Sequence, residues 1–276
     1  MTHQAIPTEK DISECMRNTI THMLNYPEPD AVLNIESHFF DVILFAQSCA
    51  YDLDVGKELW LNKQRWSRLM REYVPKEPLE RFVSQAKEIL DGKARDGATA
   101  NMFFRDPDRY AKKHRWGGCL MGATFRGDNR KFVPQLTFYS RTTYMGYMAL
   151  LDAGIAHNIA RLIGPYEDIH FRWYISSCQL HCFKTLPYIF SKPNLKKDML
   201  AQIKVGQFRS PTWKHICNWY CKIVQAYEKY GKNMLAHEKY GPFKRIKRRW
   251  MEHMGYSTKN VPPSLSISDL GFEKCE

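Results

Sequence analysis

Cys119 follows two glycines in Trp116-Gly117-Gly118-Cys119, Arg141-Thr142-Thr143 stands further on, and Asp152 comes after a glycine, Gly146. A thiolate can act as a nucleophile, provided that its surroundings lower its pKa and leave it accessible. Arg115 lies four residues before Cys119, and Arg141 approaches it if the intervening hairpin closes. Gly117-Gly118 leaves room for a flat ring. The bland reading of Cys119 is a buried small hydrophobe. Arg141 follows a strand-like run, Gln135 to Tyr139, so its guanidinium can leave the sheet end and meet an anion bidentately, with Thr142 and Thr143 adding hydroxyl donors. A strand-end salt bridge is the alternative. Asp152 stands in an apolar helical run, Met148 to Ala153, where a carboxylate is costly unless partnered. It can be a hydrogen-bonding group aimed at a ligand, or the N-cap of a helix that begins at 153.

The elements that must position these groups follow from periodicity and punctuation. A helix is expected from Asp11 to Leu24, stopped by Pro27 and Pro29. The apolar run Phe39 to Phe45 fits a buried strand or a helix, and periodicity does not arbitrate. Helices are expected over Gly56 to Tyr73 and Pro78 to Leu90, the second ended by Gly92. Thr99 to Phe104 reads as a strand and Arg105-Asp106-Pro107-Asp108 as a turn. Two strands flank a turn at Gly127-Asp128-Asn129, a helical pattern runs from Asp152 to Gly164, and Ile169 to Ile175 reads as a strand. Lys196 to Val205, Thr212 to Lys229 and Leu235 to Met254 read as helices. The fold class is α/β, a mixed twisted sheet flanked by helices, with a helical C-terminal extension. The division is an α/β domain over 1–200 and an extension over 201–276 packed on it, since strand patterns give way to helices near 190–210.

The order cysteine, hairpin, arginine with a hydroxyl neighbour, glycine and base-facing side chain resembles the thymidylate synthase superfamily, nearest to the deoxycytidylate hydroxymethylases. The spacing from Arg141 to Asp152 is the family's own; that from Cys119 to Arg141 is slightly longer, which a longer turn absorbs. The resemblance covers roughly residues 55–190. It implies that Cys119 adds to C6 of a pyrimidine, that Arg141 and Thr142 grip the nucleotide phosphate, and that Asp152 reads the base. Asparagine usually stands at that last position in synthases acting on uracil, whereas an aspartate accepts from a cytosine amine, so the resemblance leans to cytosine. Cys178-Gln179-Leu180-His181-Cys182-Phe183 is similar to the family's Asp-x-His-x-Tyr sugar site and puts His181 and Phe183 at the sugar. Lys57-Glu58-Leu59-Trp60 is similar to the Glu-Leu-x-Trp helix whose glutamate manages protons, although a surface glutamate beside a core tryptophan fits Glu58 too. Where the family has an adjacent arginine pair that crosses a homodimer to the partner's phosphate, this chain has single arginines, Arg95 and Arg105. The family's acidic, proline-rich closing segment is not visible in the C-terminal residues. The resemblance implies folate-dependent hydroxymethylation or methylation of a pyrimidine nucleoside monophosphate, with 5,10-methylenetetrahydrofolate as the one-carbon source and a homodimer as the working form.

The bulk properties bound these readings. A hydrophobic content of 44% and an aromatic content of 13% speak for a globular chain and against disorder. No apolar run is long enough to span a membrane, the N-terminus has no signal-peptide core, and the expected location is the cytoplasm, a host's if the chain is viral. Eight cysteines then read as thiols. Cys178, His181, Cys182, His215, Cys217 and Cys221 have zinc-type ligands, but their C-x3-C pairs are wide of the usual spacing, and no metal is expected. A net charge of +12 suits a nucleotide phosphate and a polyanionic folate, or nucleic acid. The run Lys244-Arg245-Ile246-Lys247-Arg248-Arg249-Trp250 could bind nucleic acid or be a solvated helix face. A non-catalytic nucleic-acid-binding protein that retains the fold is therefore the competing functional class.

Overall fold

A computed structural model describes residues 9–27, 31–32, 36–52, 74–95, 97–104, 119–128 and 132–230. The chain runs α1 (Ile12–Asn25), β1 (Ala31–Val32), β2 (Glu36–Ala46), α2 (Lys76–Leu90), β3 (Thr99–Phe103), β4 (Leu120–Asp128), β5 (Phe132–Tyr144) and α3 (Met148–Ile163). A 3-10 turn follows at Tyr166–Asp168, then β6 (His170–His181), α4 (Leu186–Ser191), α5 (Pro193–Val205) and α6 (Pro211–Tyr230). Six strands form one sheet in the order β1-β2-β6-β5-β4-β3. The β5–β6 pair is parallel and the other pairs are antiparallel. The expected fold class, a mixed sheet flanked by helices, is the one found.

Local signals account for most boundaries. Asp11 caps α1, its carboxylate accepting from the Glu14 amide at 2.8 Å. The ambiguous run at 39–45 is strand, because it pairs with β6, from Phe39 opposite Cys178 to Phe45 opposite Arg172. Gly92 follows α2 with a φ of +68°, as the helix-ending glycine should. Three elements are longer than their patterns suggest. β5 continues past Tyr139 to Tyr144, and α3 begins at Met148 instead of Asp152. β6 likewise extends beyond Ile175 to His181. The expected helices at Gly56 to Tyr73 and Leu235 to Met254, with Glu58 and the basic run at 244–250, lie outside the described residues, as does Arg105.

α1, α3 and α2 form a layer on one face of the sheet: α1 packs on β2 and β6, α3 on β5, and α2 on β3 and β4. Beneath them lies the core, including Leu44, Phe125, Phe138, Phe171, Trp173 and most of α3. α6 adds Trp213, Ile216, Tyr220 and Ile223 to it and packs against α1 and α5. The Trp213 indole donates to Asn25 Oδ1 at 3.0 Å, which ties α6 to the end of α1.

The burial alternation of the central strands changes phase along one row. In β2, Val42, Leu44 and Ala46 are buried, and beyond Phe40-Asp41 it is Phe39 and Ser37. In β6, Phe171, Trp173 and Ile175 give way to Cys178 and Leu180. In β5, where Gln135 and Thr137 are buried as well, Leu136, Phe138 and Ser140 give way to Thr143, with Met145 just past the strand.

Candidate functional site

The β4–β5 hairpin brings Cys119 beside Arg141. The Arg141 amide donates to the Cys119 carbonyl at 2.9 Å, and Leu120 pairs with Ser140. The two residues thus stand on adjacent antiparallel runs, as the strand–turn–strand pattern predicts. Cys119 is half-buried, whereas Cys15, Cys49, Cys178, Cys182, Cys217 and Cys221 are buried. Burial pushes the Cys15 thiol up to about 12 and raises those of Cys49, Cys178 and Cys217 as well, so none of these four is a ready nucleophile.

Arg141 sits inside β5 and not at its end, a correction to the expected boundary. It is exposed and forms no ion pair among the described residues. Thr142 is half-buried beside it. Thr143 does not share that surface. It is fully buried, and its hydroxyl donates to Asp152 Oδ2 at 3.1 Å.

Asp152 lies in the second turn of α3, four residues after the helix begins at Met148, so it is not an N-cap. It is 2% exposed. Burial raises its carboxyl to about 7, with the Thr143 hydrogen bond offsetting part of the rise. Burial thus favours the protonated form of this carboxyl. In its protonated form it is both donor and acceptor.

β5 and β6 run in parallel, so their C-terminal ends emerge together, where open sheets of this kind commonly bind ligands. Met145 donates its amide to the Gln179 carbonyl at 2.6 Å, and the chain turns at Gly146 with a φ of +71° before entering α3. At the end of β6, His181 is 9% exposed, with its ring 5.9 Å from Tyr144 and 6.4 Å from Phe183. Phe183 is buried against Trp219 at 5.4 Å. Arg141 and Thr142 stand level with Ser176 and Ser177, short of that end, but His181, Phe183 and Asp152 lie toward it. Arg95 does not: it is exposed in the turn before β3, whose first residue, Thr99, pairs with Arg126 at the opposite end of β4 from Cys119.

Two features escape the sequence pattern. One is Thr143 as the hydroxyl partner of Asp152; the β-branched pair Thr142-Thr143 was a signal that β5 continues. The other is Lys184, whose ammonium lies 4.6 Å from the Tyr144 ring centre and 5.5 Å from that of Tyr147, a cation–aromatic group at the mouth of the parallel strands. Among the described residues no group of three or more His, Cys, Asp or Glu side chains is placed to hold a metal. No helix among them is long and apolar enough to cross a membrane.

No family model matches the chain, and no curated relative matches it. Among solved structures it is similar to the thermostable thymidylate synthase A from Bacillus subtilis. The likeness covers 65% of this chain and 84% of that one at 10% identity, with a TM-score of 0.40.

Proposed function

We propose that the protein transfers a one-carbon group to C5 of a pyrimidine nucleoside monophosphate, with cytosine the favoured base. The observation that carries the reading is the division of labour along β5. Arg141 is exposed without a carboxylate partner among the described residues, Cys119 stands on the neighbouring strand, and Thr143 turns inward onto a protonatable Asp152. A guanidinium with no ion pair among the described residues and a hydroxyl neighbour suits a phosphate. Cys119, as a thiolate, adds to C6, and the ring's π pair moves to C5, which becomes the nucleophile for the one-carbon group. Loss of the C5 proton and expulsion of the thiolate restore the ring. Asp152 accepts from the cytosine amine and, when protonated, donates to N3. His181 and Phe183 stand at the sugar, and Lys184 adds positive charge to the same mouth.

A reduced folate would supply the one-carbon unit. Its flat pteridine needs apolar walls open beside the base, and both rings need an opening at Asp152, which is 2% exposed beside Thr143 at 0%. The described residues thus suit a phosphate better than a pteridine, and no step is routed through the folate. A hydroxymethyl product would take up water at the new carbon and a methyl product a hydride that the reduced folate would supply; Cys119 serves either. A homodimer belongs to the same proposal, with Arg95 and Arg105 as its candidates for reaching the partner's phosphate, and sedimentation equilibrium tests it.

Calorimetry with cytidine and uridine monophosphates tests the reading. Arg141→Ala should weaken cytidine monophosphate by ~2–3 kcal/mol, the worth of a charge-assisted phosphate contact. Asp152→Asn should shift the base preference toward uracil by about tenfold and leave phosphate affinity unchanged. Unchanged affinity in the Arg141 variant would remove that residue from the site, and equal affinities for the two bases would remove Asp152 as the base reader.

A further inference from the structure

The phase change in burial occurs at one row in three neighbouring strands. Phe40 pairs with Ser177 and Val42 with Ile175; Ser140 pairs with Ile175 and Thr142 with Ser177. The row between these pairs is Asp41, Ser176 and Arg141, and all three are exposed. The register is the same on both sides of the row, so the three strands slip together. In β4 the pairing with β5 shifts between Leu120 and Gly122, next to the Cys119–Arg141 contact. Neighbouring strands lie about 4.8 Å apart, so the row from Asp41 to Arg141 spans about 10 Å.

The consequence for β5 is specific. Had the alternation of Leu136, Phe138 and Ser140 continued, Thr142 would face the core and Thr143 would face away from it. The slip leaves Arg141 and Thr142 as consecutive residues outside the core and turns Thr143 inward to Asp152. The row also contains a backbone outlier: among the described residues, Asp41 is the one non-glycine with a positive φ, +53°. Aspartate tolerates that region better than most residues, and β-branched residues scarcely enter it. The Asp41 carboxylate has no ion-pair partner among the described residues.

We propose that Asp41 is a positioning residue: its left-handed backbone pins the aligned slip of β2, β6 and β5, and the slip presents Arg141 and Thr142 outward while turning Thr143 onto Asp152. Local strain of this kind persists where the surrounding structure over-determines it, commonly beside functional groups. The role of Arg141 rests on the nucleotide-site reading; the inward turn of Thr143 does not.

The test compares Asp41→Gly, which keeps the backbone freedom and removes the carboxylate, with Asp41→Val, which opposes the positive φ. Each is combined with Thr143→Val in a urea-denaturation cycle on the full chain. Thr143→Val should lower the midpoint equally in the unmutated and Asp41→Gly backgrounds, and by less than half as much in Asp41→Val. Equal shifts in all three would overturn the inference. A second arm measures cytidine monophosphate affinity, which should stay within twofold for Asp41→Gly and fall tenfold or more for Asp41→Val. The remote core variant Ile216→Val controls for general destabilisation and should keep the affinity; loss in Asp41→Gly as severe as in Asp41→Val would also count against the proposal. If the unmutated protein binds no nucleotide, the functional reading fails while the denaturation cycle still judges the role of Asp41. If Asp41→Val does not fold, Asp41→Ala takes its place under the same criteria.

Discussion

Asp152 links the site to the stability of the fold. Its carboxyl rises from an ordinary 3.8 to about 7 because burial penalises the charged form. Between those values the folded chain holds a proton that the unfolded chain has released. The stability from this group is therefore fully present below about pH 4 and is lost as pH rises to about 7. Above that range no further loss comes from Asp152. Asp152→Asn should flatten the pH dependence of unfolding between those limits, a change on the order of a few kcal/mol. Urea titrations at intervals across the range measure it; a slope that survives the substitution would show that other groups govern it.

At the scale of elements, the site depends on two turns packed against each other, one after each parallel strand. Gly146 ends β5 with a φ of +71°, and a methyl group there would sit 2.7 Å from Thr185 Cγ2. Thr185 is buried, and its hydroxyl donates to the His181 carbonyl at 2.9 Å, so it has little freedom to yield. Gly146→Ala should cost both the backbone term and the collision, ~2–4 kcal/mol in all. Gly206 ends α5 with the same φ of +71° and open space around it, so Gly206→Ala isolates the backbone term, ~1 kcal/mol. Denaturant midpoints for the pair give the difference; equal losses would mean that the two turns do not press on each other.

For the whole molecule, the net charge of +12 attracts any polyanion at low salt, so affinity alone does not separate a nucleotide from nucleic acid. Salt dependence does, because a polymer releases many counterions and a monophosphate few. At about 0.15 M ionic strength, cytidine monophosphate should raise the melting temperature and single-stranded DNA should not. Stabilisation by DNA alone, falling steeply with added salt, would favour the non-catalytic nucleic-acid-binding class.

The sequence by itself determined the elements whose signals are local. The Asp11 cap, the glycine after α2, the β4–β5 hairpin and the α/β order follow from side-chain chemistry within a few residues, and closing the hairpin brings Cys119 beside Arg141. The tertiary structure decided what depends on neighbours. Residues 39–45 are strand because β6 runs alongside them. β5 passes through Arg141 because β6 supplies a parallel edge as far as Tyr144. Asp152 is a buried member of α3 and not its cap, because Gly146 starts the helix early enough to carry it beneath the sheet. Thr143 faces Asp152 and not the phosphate side, because three strands slip in the same row. Periodicity within one strand cannot show such a slip: the displaced residue is visible only against the strands on either side.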